Sequence, residues 1–276
     1  MKWLHFILSH SVFVSICAVA MAFQTGQLLK LHIDLYVYGF IFFATLCSYN
    51  FYWILSKISF AEKHRITDLL KRESTGFTLL VFSAAGLLYC FFRTTLPIEY
   101  ILTAVLLTVI YVIPLLPVKF LHFTRKAGVL KTILLAFTWT YVTVFIPIQK
   151  SYFLLDKADL FIFTRRFLFM LMLCIIFDNR DKAVDKIRGL RSLATDLKPA
   201  VLNILIFIIF AALFLSNFLY QDYGLTLRQS IALQISTLAL LVVYFYAAKK
   251  RSYFFYYFFV DGLMLFSALA TYIAGI

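Results

Sequence analysis

Charge is scarce in this chain of 276 residues, and acid is scarcer than base. Asp, Glu, Lys and Arg make up 14% of it, with 13 acids against 26 Lys and Arg, a formal net charge of +13. Hydrophobic residues reach 63% and the mean hydropathy is +0.91. A soluble domain is about 45–50% apolar and about 25% charged, so a water-soluble globule and a disordered chain are excluded. Cysteine is also sparse. Cys17, Cys47, Cys90 and Cys174 sit in apolar runs without metal-type spacing. They exclude a secreted disulfide scaffold and read as small hydrophobes facing lipid or core. Of five prolines, Pro97, Pro117 and Pro199 fall at loop or span edges, and Pro114 and Pro147 near span ends, where proline kinks a helix. No His-Cys metal cluster, glycine-rich nucleotide loop or Ser-His-Asp set is visible.

What the chain has is long apolar runs. They are near 20 residues, the helix length of a bilayer rather than the short alternating strands of a barrel. The expectation is an all-α polytopic membrane protein, one transmembrane domain over residues 1–276. Nine spans are expected, at about 3–23, 35–56, 77–95, 98–118, 130–149, 160–177, 199–219, 226–248 and 252–274. The first carries Lys2 and the small residues Ala18, Ala20 and Ala22, and is read as an anchoring helix rather than a cleaved signal. Most Lys and Arg fall at the N-terminus and in every second loop. The positive-inside rule then puts the N-terminus in the cytoplasm and the C-terminus outside, in an inner or plasma membrane. The same charge would meet anionic lipid rather than nucleic acid.

The strongest local signal is Asp178-Asn179-Arg180-Asp181-Lys182-Ala183-Val184-Asp185, directly after span six. On a continuing helix, Asp178, Asp181 and Asp185 share one face within about 60°. Carboxylate oxygens favour a hard cation such as Mg²⁺, which binds through one or two carboxylates plus substrate phosphates. The alternative is a solvated helix whose acids pair with Lys182, Lys186 and Arg188. Gly189 is a plausible helix cap. Arg188 and Arg191 add fixed positive charge beside the acids, a mixture suited to a metal-bridged phosphate.

This stretch resembles the UbiA prenyltransferase superfamily, in which D-x-x-D-x-x-x-D after the sixth helix is followed by glycine and a Thr-Leu-Pro-like segment. Asp178, Asp181, Asp185 and Gly189 match that spacing, with Ser192-Leu193-Ala194 in the Thr-Leu-Pro place. Tyr111 and Lys131 resemble the family's basic 4–5 loop, whose lysine is linked with the diphosphate. The resemblance covers essentially the whole chain. It implies nine helices in a UbiA-like bundle, a prenyl diphosphate and an aromatic or lipid-like acceptor as substrates, and Mg²⁺ on Asp178, Asp181 and Asp185.

The chain departs from the family after helix two. Where N-D-x-x-D-x-x-x-D is expected, Asn50 is kept but Phe51, Ile54 and Ile58 replace the acids. Two outcomes follow. Cations can stand in for the second metal: Lys57, Lys63, Arg65 and Arg72 from the 2–3 loop, with Arg125 and Lys131, while Arg188 and Arg191 help hold the diphosphate. Otherwise ionisation becomes too slow, since each lost electrostatic contact costs about 3–4 kcal/mol in the barrier. The protein would then bind an isoprenoid lipid, or scaffold a membrane complex, without turnover. A transporter is disfavoured, because the polar cluster lies at one membrane face.

Other polar residues read as structural. Asp261, in mid-span, is expected to make an interhelical hydrogen bond, with a contact to the acceptor substrate or a proton site as the alternative. Arg165 and Arg166 are expected to snorkel or to pair with Asp156 or Asp159. His10, Asn203, Gln234 and Trp139 read as interhelical glue. Among 32 Phe and 17 Tyr, the run Tyr253–Phe259 reads as an interfacial belt. The 2–3 loop, Ser59 to Gly76, reads as an amphipathic interfacial helix.

Overall fold

The computed structural model describes residues 2–59, 74–112, 128–150, 152–188 and 190–276. The expected 2–3 loop helix, and with it Lys63, Arg65 and Arg72, lies outside the described residues, as do Pro114, Pro117, Arg125 and Gly189. Among the described residues the regular structure is helical throughout, with no strand.

The helices are α1 (Lys2–Ser9), α2 (Val12–Leu28), α3 (Leu35–Ser59), α4 (Ser74–Arg93), α5 (Ile98–Val112), α6 (Gly128–Ile148), α7 (Lys157–Arg188), the short α8 (Leu193–Asp196), α9 (Pro199–Ser216), α10 (Leu227–Ala247) and α11 (Phe255–Gly275). Seven of them (α3, α4, α6, α7, α9, α10 and α11) are long and apolar enough to cross a membrane. The first expected span is instead a bent pair. Residues Trp3–Ser9 and Val12–Leu28 meet at 68°, with Ser11 in the left-handed region at φ 63° between them. An L-residue there ends the helix, and the break falls on the polar run Ser9-His10-Ser11, which the apolar residues on either side outweighed. The fourth expected span is represented by α5, whose 15 residues reach Val112. Residues 113–118 lie outside the described set.

α7 is the axis of the bundle. Of its apolar stretch 61% is buried, against 11% in α4. The helix packs against α6, α8, α9 and α10, while α4, α5 and α9 present Phe82, Phe92, Leu106 and Ile208 outward, as lipid-facing helices do. Pro199 opens α9 at its first turn, where its missing N–H costs nothing. Pro147 lies in the last turn of α6, just after a π-helical segment, Tyr141–Phe145. Proline cannot donate to the carbonyl four residues back, that of Thr143. The hydroxyl of Thr25 on α2 does so instead, at 2.7 Å.

α7 runs on past the expected end of span six. Its 32 residues carry Asp178, Asp181 and Asp185 on continuous helix.

Candidate functional site

A cavity of about 1030 Å³ opens beside α7. It is walled by α3, α5, α6, α7, α11 and the segment after α10. Along α7 it extends from Met170 to Lys186, a length of about 24 Å at 1.5 Å per residue. Asp178, Asp181 and Asp185 line one end of that stretch, with Arg180, Lys182, Lys186 and Lys131. Met170, Leu173, Cys174 and Trp139 line the rest.

Each acid stands in a different environment. Asp178 Oδ2 accepts the hydroxyl hydrogen of Thr132 on α6, and Thr132 Oγ1 accepts from the backbone N–H of Leu193 at 3.2 Å. This knits α6, α7 and α8 together. Asp181 is bound through both oxygens by Arg180, from Nε at 2.7 Å and Nη2 at 2.7 Å. Asp185 is buried, 8% exposed. Lys131 lies within electrostatic reach of all three acids, and its Nζ stands 6.0 Å from the Tyr111 ring centroid.

Arg180 was not singled out from the sequence, yet it is the most elaborately held cation of the site. Its guanidinium carbon lies 4.8 Å from the Phe177 ring, 5.3 Å from Tyr256 and 5.0 Å from Tyr257. Its Nη1 is buried without a hydrogen-bond partner. The tyrosines come from the run read as an interfacial belt, and the structure corrects that reading. Tyr253, Tyr256 and Tyr257 line the cavity, while Phe259 is exposed. The signal was present: the tyrosines recur at i, i+3 and i+4, one face of a helix.

α3 supplies the opposite wall in an unexpected register. Tyr49, Tyr52, Trp53 and Ser56 line the cavity, again at i, i+3, i+4 and i+7. Asn50, Phe51, Ile54 and Ile58, the positions matched to the first acidic motif, do not. The Asn50 amide donates to the carbonyls of His10 at 3.2 Å and Leu46 at 2.8 Å. Lys57 lies 5.9 Å from the Trp53 ring centroid, outside the lining. Arg191 is half-exposed and binds Asp196 at 2.8 Å. Of the expected diphosphate ligands, the structure brings Lys131 to the acids. It turns Asn50, Lys57 and Arg191 elsewhere, and Arg125, Arg65 and the Arg188 side chain lie outside what it describes.

Two further readings are corrected. Asp261, expected in an interhelical hydrogen bond, receives none from a described residue and lines the cavity, directly after the π-helical segment Phe255–Val260. Arg165 and Arg166 do not pair with Asp156 or Asp159. Lys150 holds both acids, at 2.9 and 2.8 Å.

Among the described residues no three His, Cys, Asp or Glu side chains converge on one metal position. The Asp181 oxygens face Arg180, and Asp178 and Asp185 stand about 10 Å apart along the axis, too far to share an ion. The donor set therefore fits a Mg²⁺ held by a single protein carboxylate and completed by phosphate oxygens and water. It does not fit a protein cage.

No protein-family model matches the chain, and no curated protein matches it. Among solved structures it is similar to the apo structure of a UbiA homolog from Aeropyrum pernix K1, with a TM-score of 0.59 and 12% identity, over 95% of this chain and 97% of that chain. The chain thus has the fold of that UbiA homolog, a bundle of long apolar helices, as the resemblance carried by Asp178, Asp181 and Asp185 led one to expect.

Proposed function

We propose that the protein is an integral-membrane prenyltransferase, moving a prenyl group from a prenyl diphosphate to an aromatic or lipid-like acceptor. The observation that carries this reading is the cavity's lining: charged residues cluster on the α7 triad, and a largely aromatic and aliphatic channel set among membrane helices, with Asp261 in its wall, continues from it. An isoprenoid tail needs the channel, and its diphosphate needs the charged end. By the charge bias of the loops, that end faces the cytoplasm.

In this reading Lys131 and Arg180 bind phosphate oxygens. Asp178 and Asp185 would each hold a Mg²⁺ of its own through one carboxylate, with the diphosphate completing the shell, and Asp181 fixes Arg180. Mg²⁺ supplies neutralisation of the charge that builds on the leaving group. The bond between the prenyl C1 and the bridging oxygen breaks, and the diphosphate leaves with the electron pair. An acceptor carbon or oxygen bonds to C1 and gives up its proton. The residues mainly position the partners and hold charge. Arg188 and Arg191, beside the acids in sequence, and Lys57, Arg65 and Arg125, as cations in place of the missing first acidic motif, belong to the proposal from the sequence, and Asn50 from the family resemblance.

A second reading, a lipid-binding member without turnover, is favoured by one observation. The α3 wall facing the acids offers Tyr49, Tyr52 and Trp53 rather than carboxylates. Incubation of the purified protein with radiolabelled farnesyl or geranylgeranyl diphosphate, Mg²⁺ and a panel of quinone precursors and membrane extracts separates the two. Diphosphate release that disappears in Asp178→Ala supports transfer. Mg²⁺-dependent binding without release supports the second reading.

A further inference from the structure

Arg165 and Arg166 lie side by side on α7, about 12 Å along the helix from Lys157, and are 8% and 4% exposed. A guanidinium keeps its charge under all ordinary conditions. A buried charge needs a counter-charge, and two adjacent ones repel. No carboxylate of a described residue lies within ion-pair distance of either, and the acids nearest in sequence, Asp156 and Asp159, are held by Lys150.

Their hydrogen-bond partners among the described residues are all neutral. Arg165 Nη1 donates to the Leu213 carbonyl at 3.0 Å and to Ser216 Oγ. Arg166 donates from Nη1 to the Met21 carbonyl at 2.9 Å, and from Nη2 to Gln24 Oε1 at 2.9 Å and Thr25 Oγ1 at 3.4 Å. Gln24 is itself fixed, since its Nε2 donates to Ser267 and Thr271 on α11 at 2.9–3.1 Å. The Nε of both arginines and Nη2 of Arg165 donate to no described residue.

A second cavity, of about 30 Å³, lies against both guanidinium groups and is also lined by Gln24, Ser236, Thr237 and Ser267. About 10–15 Å³ by this measure accommodates a water-sized body, so the space suits one small ion. The hydroxyls of Ser236 and Thr237 are spent on their own helix carbonyls, which leaves the guanidinium N–H groups and the Ser267 hydroxyl as the donors of the lining. We infer that this cavity is a binding site for one halide-sized monovalent anion, chloride being the representative. The anion offsets one of the two adjacent positive charges of Arg165 and Arg166 at a joint of α2, α7, α9, α10 and α11. The site is separate from the large cavity and does not depend on its proposed chemistry.

The test uses the full chain in detergent or nanodiscs, with bromide as the probe. A crystal grown in sodium bromide should show an anomalous bromine peak within hydrogen-bond distance of Arg165 and Arg166. The melting temperature should rise saturably, by about 2–4 °C, when bromide or chloride replaces gluconate at equal ionic strength. Arg166→Gln should abolish that increment, and if the variant does not fold, the wild-type scattering decides. Absence of the bromine peak together with a melting temperature indifferent to halide would overturn the inference, leaving water in the cavity.

Discussion

Thr132 on α6 donates its hydroxyl to Asp178 on α7, and that same hydroxyl receives the backbone N–H of Leu193 at 3.2 Å. One buried side chain thereby sets the first acid of the triad and seats the turn that follows the glycine. Thr132→Val keeps the shape but removes the hydroxyl that bridges the two, and a hydrogen bond to a charged group contributes about 1.5–3 kcal/mol. Thermal unfolding should show that loss in Thr132→Val, and Thr132→Ser should restore most of it.

Gly128 opens α6 against the segment Arg191–Asp196. A Cβ there would stand 2.6 Å from the Ser192 nitrogen and 2.6 Å from Asp196 Oδ2, and the backbone nitrogen has nowhere to go. Overpacking of this kind costs about 1–3 kcal/mol. Gly128→Ala should lower the melting temperature and weaken prenyl diphosphate binding together, because the displaced turn carries the Leu193 N–H. Unchanged binding in a destabilised variant would place that turn outside the site.

Arg180 presents a planar fork to Asp181 and stacks among three rings, and lysine reproduces neither. Arg180→Lys should reduce prenyl diphosphate affinity or turnover by about 10–100-fold, the equivalent of the 1.5–3 kcal/mol typical of hydrogen bonds to charged groups. Steady-state kinetics or equilibrium binding on the purified variant checks it.

Outside the membrane helices, Lys150 holds Asp156 and the buried Asp159. The Asp159 N–H, and then Lys150, hold the Asp156 carboxyl below its ordinary 3.8. Hydrogen bonds to Asp159 and Asp156 raise Lys150 above 10.5. A depressed acid stabilises above its unfolded value and loses that contribution as pH falls through its folded one. A raised base stabilises below its unfolded value and loses that as pH rises through its folded one. Lys150→Met should therefore lower the melting temperature most between about pH 4 and pH 10, with the gap closing outside that window. Asp156 is mostly exposed, so salt should shrink its share of the effect.

Composition and run length made the membrane fold legible, and the spacing of Asp178, Asp181 and Asp185 made one wall of the cavity legible. The rest was hidden by a single physical fact. In a bilayer both the core side and the lipid side of a helix are apolar, so the amphipathic contrast that marks an inward face in water is missing. On α3 the inward face is Tyr49, Tyr52, Trp53 and Ser56, and nothing but their weakly polar tips distinguishes them from Phe51 and Ile54. The same tips set Tyr253, Tyr256 and Tyr257 apart from their phenylalanine neighbours. Arg180 was masked by its position, one residue from the acid it binds. The break at Ser11 did leave a trace, the polar run Ser9-His10-Ser11 with serine at the N-cap of α2, but it was short enough to pass as part of one span.

The central claim is that the α7 acids hold a prenyl diphosphate with Mg²⁺ at the polar end of the large cavity. Its most direct measurement is equilibrium binding of radiolabelled geranylgeranyl diphosphate to the wild-type protein and to Asp178→Ala, with Mg²⁺ and with excess EDTA. The account predicts saturable wild-type binding that falls at least tenfold on chelation and at least tenfold in the variant. Binding indifferent to both the metal and the substitution would contradict it.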